Sequence, residues 1–213
     1  MPRRSAADAA RTHTAILDRA VHMASTDGLE GLTIGRLAGD LGMSKAGVIG
    51  HFGTKEELQL EALAAATERW RHEVWDPVAG EEPGLRRLRA LAARWSAFLG
   101  DCPFPGGCFL SAASFEFDDR PGPVRDALVT MVQTWQDALD RAIRAAVDEG
   151  HLRADTDAGQ LLFEIHGLIL ALHHDARFLR HAGAEERARA AFARLLAHAA
   201  TPPHGAAPAA DPL

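Results

Sequence analysis

Residues 33 to 58, TIGRLAGDLGMSKAGVIGHFGTKEEL, constrain this 213-residue chain more than any other stretch, because they spell two short helices joined by a tight turn. Leu37 and Leu41, four apart, share one side of a first helix, and small Ala38 beside them lets a second helix come close. Gly42 stands where a steep helix crossing needs a left-handed residue, a conformation that a side chain would penalise. Met43 turns back to the core, and Ser44 is placed to cap the second helix, whose Val48 and Phe52 form one buried stripe. The opposite face of that helix is left free, as a helix that enters a DNA groove requires.

The flanks support the unit. Ile16, Leu17, Ala20, Val21 and Ala24 predict a helix over residues 5–25 that ends at the turn-forming pair Asp27 and Gly28, which makes a three-helix core. Thr54 and Glu57 read as a capping box that opens a long helix over about 54–75, ending before Pro77. Further helices are expected at about 84–100, from the Cys102–Cys108 bend to near Asp118, from Pro123 to about 148, from the Asp157 cap to about 180, and over 184–199. The fold class is therefore all-α, and the spacing divides the chain into an N-terminal helix-turn-helix domain over 1–58 and a larger helical domain over 59–200. Residues 201–213, rich in Pro, Ala and Gly, have no periodic apolar face and are expected to be a disordered tail.

The stretch from about residue 10 to residue 63 resembles the DNA-binding domain of the TetR/AcrR family of bacterial transcription regulators. The resemblance rests on Thr33 opening the first motif helix, on Ala38 and Gly42, on His51 and Phe52 closing the recognition helix, and on the run Lys55-Glu56-Glu57-Leu58. The chain departs from the pattern at Ile49, where the family very often has tyrosine, and it contains no tyrosine at all. The resemblance implies a regulator, usually a repressor, that binds a palindromic operator as a homodimer through its last two long helices, here about 157–199. It also implies release from DNA when a small molecule enters the body.

The side chains say how DNA would be met. Lys45 and Lys55, the only lysines in the chain, both fall in this window, Lys45 able to reach a base edge or phosphate and Lys55 at a helix N-terminus suited to a phosphate. Thr33, Ser44 and His51 are expected at the DNA backbone. Ala46, Gly47, Ile49 and Gly50 offer close approach and methyl contacts rather than bidentate hydrogen bonds, so sequence preference is expected to come largely from DNA shape. The net charge is -6, with residues 1–60 neutral at seven basic and seven acidic groups and the rest carrying 16 basic against 22 acidic. A neutral head on an acidic body binds DNA by local geometry, with weak non-specific affinity. Arg3, Arg4 and Arg11 read either as a flexible arm or as ordinary terminal charge.

In the body, Trp70, Trp95, Phe98, Phe104, Cys108, Phe109, Ser111, Phe115 and Trp135 read individually as core and collectively as the wall of an effector pocket, with Glu116 and His166 to orient an occupant. Cys108, near a helix N-terminus with Cys102 as a resolving partner, raises the alternative of an electrophile- or oxidant-sensing regulator. The pairs His166 and His173, and His174 and His181, invite a metal, yet no Glu-x-x-His pair accompanies them, and a helical-bundle metal enzyme is the rival class. Neither a Ser-His-Asp arrangement nor a glycine-rich phosphate loop is found, so no enzyme, cofactor or metal is expected. The apolar run Leu161–Leu172 is too short for a bilayer and Met1 is followed by no secretion signal, which points to the cytoplasm.

Overall fold

The computed structural model describes residues 6–100 and 102–202, and among them the chain is helical throughout, with one isolated bridge between Leu152 and Ala200. A head of three helices comes first: α1 (Ala6–Asp27), α2 (Ile34–Asp40) and α3 (Lys45–Phe52). Each turn of the head is specified locally. Thr33 caps α2 by accepting from Arg36 N, Ser44 caps α3 by accepting from Gly47 N at 3.0 Å, and Gly42 takes φ +63° at the bend between them. Ile16, Ala20, Leu37, Ala38, Val48 and Phe52 close the core of the head, all of them nearly inaccessible.

α4 (Lys55–Trp70) leads from head to body and opens with a complete capping box, Thr54 accepting from Glu57 N while the Glu57 carboxylate accepts from Thr54 N. It runs unbroken through residues 58 and 59, with Leu58, Ala62 and Ala66 buried. The body adds α5 (Asp76–Ala79), α6 (Leu85–Gly100), α7 (Phe109–Glu116), α8 (Pro123–Asp148), α9 (Ala158–His173) and α10 (Ala184–Ala199). A π-helical turn, Arg71–Trp75, follows α4, and a second, His174–Phe178, follows α9. The helix expected to stop before Pro77 instead continues through the π turn into α5. Pro77 comes directly after that π turn, whose shifted i→i−5 register is closed by Asp76 N donating to Arg71 O.

The head is seated on the body through α1, α4 and α7. Gly106 lies so close to α1 that an added Cβ would fall 1.3 Å from Ser25 O, which only glycine permits. The last turn of α10 is tied down by Arg153 N donating to Ala199 O and Thr201 N donating to His151 O. Residues 1–5, with Arg3 and Arg4, and most of the tail expected at 201–213 lie outside the described residues.

Candidate nucleic-acid interface and effector cavity

α3 is a helix with two different sides. Val48 and Phe52 are buried in the head, while Lys45, Ala46, Ile49 and Gly50 face outward, Ile49 with 45% of its surface exposed. Thr33 and Ser44 are also exposed, their oxygens engaged as caps, and Gly47 is half-buried. The Lys45 stem packs over Gly35 of α2, where an added Cβ would come within 3.0 Å of its Cε. His51 is half-buried against His13, whose ring stacks on Phe52 at 4.5 Å and whose Nε2 lies 3.0 Å from Glu61. Lys55 is already engaged, donating from Nζ to Glu30 O at 2.9 Å and to Glu30 Oε2 at 3.3 Å. Two of its three donors are therefore spent inside the head, a limit on the phosphate contact expected of it.

Within the body, a cavity of about 200 Å³ lies between α4, the π turn, α7 and α8. Thr67 and Trp70 come from α4, Arg71 and Trp75 from the π turn, Leu110 from α7, and Met131, Thr134, Trp135 and Ala138 from α8. The surface is aromatic and apolar with little free polarity. Thr67 and Thr134 donate their hydroxyl hydrogens to Leu63 O and Thr130 O, and the Arg71 guanidinium is paired with Glu68 and Asp76. That pairing holds the Glu68 carboxyl below its ordinary value. The Trp70 indole N–H is buried without an acceptor.

Two family models match this chain. The one described as bacterial regulatory proteins, tetR family, covers residues 16–62, and the one described as tetracyclin repressor-like, C-terminal domain, covers 84–192, about half of the chain by itself. The chain belongs to the TetR family of bacterial regulatory proteins.

Solved structures carry the same fold. A TetR transcriptional regulator from Chloroflexus aurantiacus aligns with a TM-score of 0.81 at 22% identity, over 90% of this chain and 96% of that one. A TetR-family regulator from Cytophaga hutchinsonii gives 0.81 at 19% identity, over 95% and 100%. The TetR-family regulator CifR, solved as a cysteine mutant with a 26 bp operator duplex, gives 0.72 at 26% identity, over 92% and 98%. Among curated proteins, no sequence matches the chain.

For this TetR-family chain, the expected aromatic set resolves into two. Trp70, Trp95, Trp135 and His166 form a line of touching rings with centroids 4.9, 5.0 and 5.0 Å apart, but only Trp70 and Trp135 border the cavity. Phe98, Phe104 and Phe109 form a second line in the core, capped by the Arg69 guanidinium 5.5 Å above Phe104. Phe115 does not join either set. It is 61% exposed, because α7 turns that face to solvent. Glu116 is not at the cavity either, since its carboxylate accepts from Leu29 N and Glu30 N of the head, both at 2.8 Å. His166 sits behind Trp135 with Nδ1 3.2 Å from Gln136 Nε2, and burial pushes its pKa down.

The thiol expectation is corrected by burial. Cys108 does stand at the N-terminus of α7, and Ser111 hydrogen-bonds to it, but its complete desolvation raises the thiol pKa on balance. Ser111 is itself buried there. Cys102, more than half buried, is pushed up to about 11 by the same cause. Among the described residues no group of three or more His, Cys, Asp or Glu side chains could hold a metal ion, and no helix is long and apolar enough to cross a membrane.

The reading from sequence missed Trp75, Leu110, Met131, Thr67, Thr134, Arg71 and Ala138. Trp75 shows why. Five residues after Trp70, it falls well off the same α-helical face, and only the π turn, closed by Asp76 N donating to Arg71 O, brings both indoles to one cavity.

Proposed function

We propose that this TetR-family protein is a dimeric, effector-released repressor that reads a palindromic operator with α3. Lys45, Ala46, Gly47, Ile49 and Gly50 approach the base edges, and Thr33, Ser44, His51 and Lys55 serve the DNA backbone. The observation that carries the reading is that α4 has one end in the head and the other in the wall of the aromatic cavity, so one rigid element touches both sites. A head over 1–58 and an effector-binding and dimerising body over 59–200 are the corresponding division, with the boundary falling inside α4.

The two recognition helices of a dimer would stand about 34–36 Å apart to enter successive major grooves on one face of the duplex. Exposed faces of α9 and α10 support the pairing. Phe163 is 72% exposed, and small side chains such as Ala171, Ala188, Ala190 and Ala191 border a groove of about 340 Å³ that lets backbones approach. The operator complex of CifR, and that of AibR with isovaleryl coenzyme A and operator DNA at 21% identity, support the same use of the fold.

The effector would be smaller than a coenzyme. A cavity of about 200 Å³ is somewhat larger than the roughly 150 Å³ void known to admit benzene, which suits one ring with small substituents. With its one cation already paired, the cavity favours an uncharged hydrophobic molecule. A mobility shift with palindromic duplexes from the chain's own upstream region tests the first part, and sedimentation tests the dimer. Thermal-shift screening of single-ring aromatics, followed by release of the duplex, tests the second part. A salt-sensitive shift that a stabilising compound abolishes is expected, and binding that no cavity ligand disturbs would overturn the effector role.

A further inference from the structure

We infer that Glu116 is the positioning residue that couples the body's cavity to the reading head, an inference that rests on the effector reading above. Its two carboxylate oxygens are divided between two backbone donors of the loop joining α1 to α2, Oε2 taking Leu29 N and Oε1 taking Glu30 N, each at 2.8 Å. Charge-assisted bonds to a pair of adjacent amides set both position and orientation. The fork is possible because the neighbouring residue is Gly28, at φ +80°, where a Cβ would lie 2.7 Å from Glu116 Oε1.

The same loop is held from its other side by α4. Gln59, almost fully buried, donates from Nε2 to Leu29 O at 2.7 Å and to Glu30 Oε1 at 3.2 Å, and Lys55 donates to Glu30 O. The Gln59 bond, with Lys55 behind it, holds the Glu30 carboxyl below its ordinary value. The loop is thus grasped between α4 and α7. Those two helices also face each other across the cavity wall, through Trp70 on α4 and Leu110 on α7.

Leu110 and Glu116 are six residues apart on one helix, about 9 Å along its axis. An occupant that parts α7 from α4 at Leu110 must be accommodated at Glu116, where hydrogen bonds weaken steeply with misalignment. A head joined to the body by α4 alone could pivot about that helix. Gly106 also seats against Ser25 of α1, but it precedes α7, whereas the Glu116 fork lies on α7 itself and converts a displacement of that helix into a change of head orientation.

The test is a double-mutant cycle that needs no identified effector. Ala138→Phe places a built-in occupant in the cavity, and Ala138→Met is a smaller one should the first fail to fold. Each is combined with Glu116→Ala and Glu116→Gln, and affinity for the shifted palindromic duplex is measured. With Glu116 present, filling the cavity should weaken operator binding about tenfold. With Glu116→Ala the same filling should change it by less than about twofold. Glu116→Gln keeps one acceptor and should fall between. In Glu116→Ala the Leu29 and Glu30 amides should exchange with solvent at least about tenfold faster, which reports the broken fork directly. Equal losses with and without Glu116 would overturn the coupling while leaving the cavity reading intact. Operator affinity indifferent to both folded Ala138 variants would overturn the cavity reading and the coupling together.

Discussion

The head and the body of this protein solve opposite problems. The head buries one side of a short helix in order to display the other, so its candidate contacts lie on the outside of α3 and within about one turn of their own caps. The body gathers its candidate contacts, bringing the half-buried Thr67, Trp75, Leu110 and Ala138 from three parts of the chain around a space that none of them forms alone. A site on one helix face depends on local geometry, and one formed between helices depends on how several of them pack. Perturbations should therefore act locally in the head and diffusely in the body.

The largest effect is expected at Phe52, where truncation to alanine removes a ring from the small head core. A loss of about 3–5 kcal/mol, read from urea unfolding, should leave the head unable to bind DNA while much of the body stays helical by circular dichroism. Next comes Ile49→Glu, which would place a like charge against the operator phosphates in the proposed complex. Binding should drop on the order of a hundredfold with the melting temperature nearly unchanged, and a matched fall in stability would mean that Ile49 belongs to the core.

Ser44→Ala sharpens the claim that the head is specified by its caps. It should cost about 1 kcal/mol, with operator affinity falling in parallel. In the body, Cys108 should resist iodoacetamide at pH 7.5 until denaturant is added, since burial both shields the thiol and disfavours its thiolate. Rapid labelling of the native protein, followed by mass spectrometry, would revive the thiol-sensing alternative.

The smallest effect concerns pH. Burial depresses the pKa values of His166 and His173 below their ordinary 6.5, with Arg177 adding to the effect at His173. Between the ordinary and the depressed values the unfolded chain binds more protons, so stability falls as pH drops below about 6.5 and levels off beneath the folded pKa. Urea midpoints at pH 7.5 and 5 should differ less in His166→Gln and His173→Gln than in the parent. An unchanged difference would remove these histidines from the account.

Much of the fold was legible because its signals are short-range. The α3 register, the Thr54 and Glu57 capping box, the Asp157 cap and the Gly42 bend each follow from side chains within four residues of one another. Helices as far along as α10 followed from apolar periodicity, since a helix in water keeps its structure by burying one stripe. The candidate cavity was less legible, because aromatic residues mark a core as readily as a pocket. Phe115 and Trp75 are the two sides of that ambiguity, one aromatic turned to solvent and the other drawn inward by a π turn.

What the sequence determined by itself is the helical class and the display of α3, both consequences of local capping and periodic burial, and, through its resemblance in the motif residues, the family. Only the tertiary structure decided that Glu116 hydrogen-bonds to the head and stands away from the cavity, that Cys108 is a buried core thiol, and which three indoles share a space. The reason is physical. A cap is satisfied by its neighbours in the chain, whereas a half-buried carboxylate, a buried thiol or a cavity takes its character from whatever distant segment is packed against it.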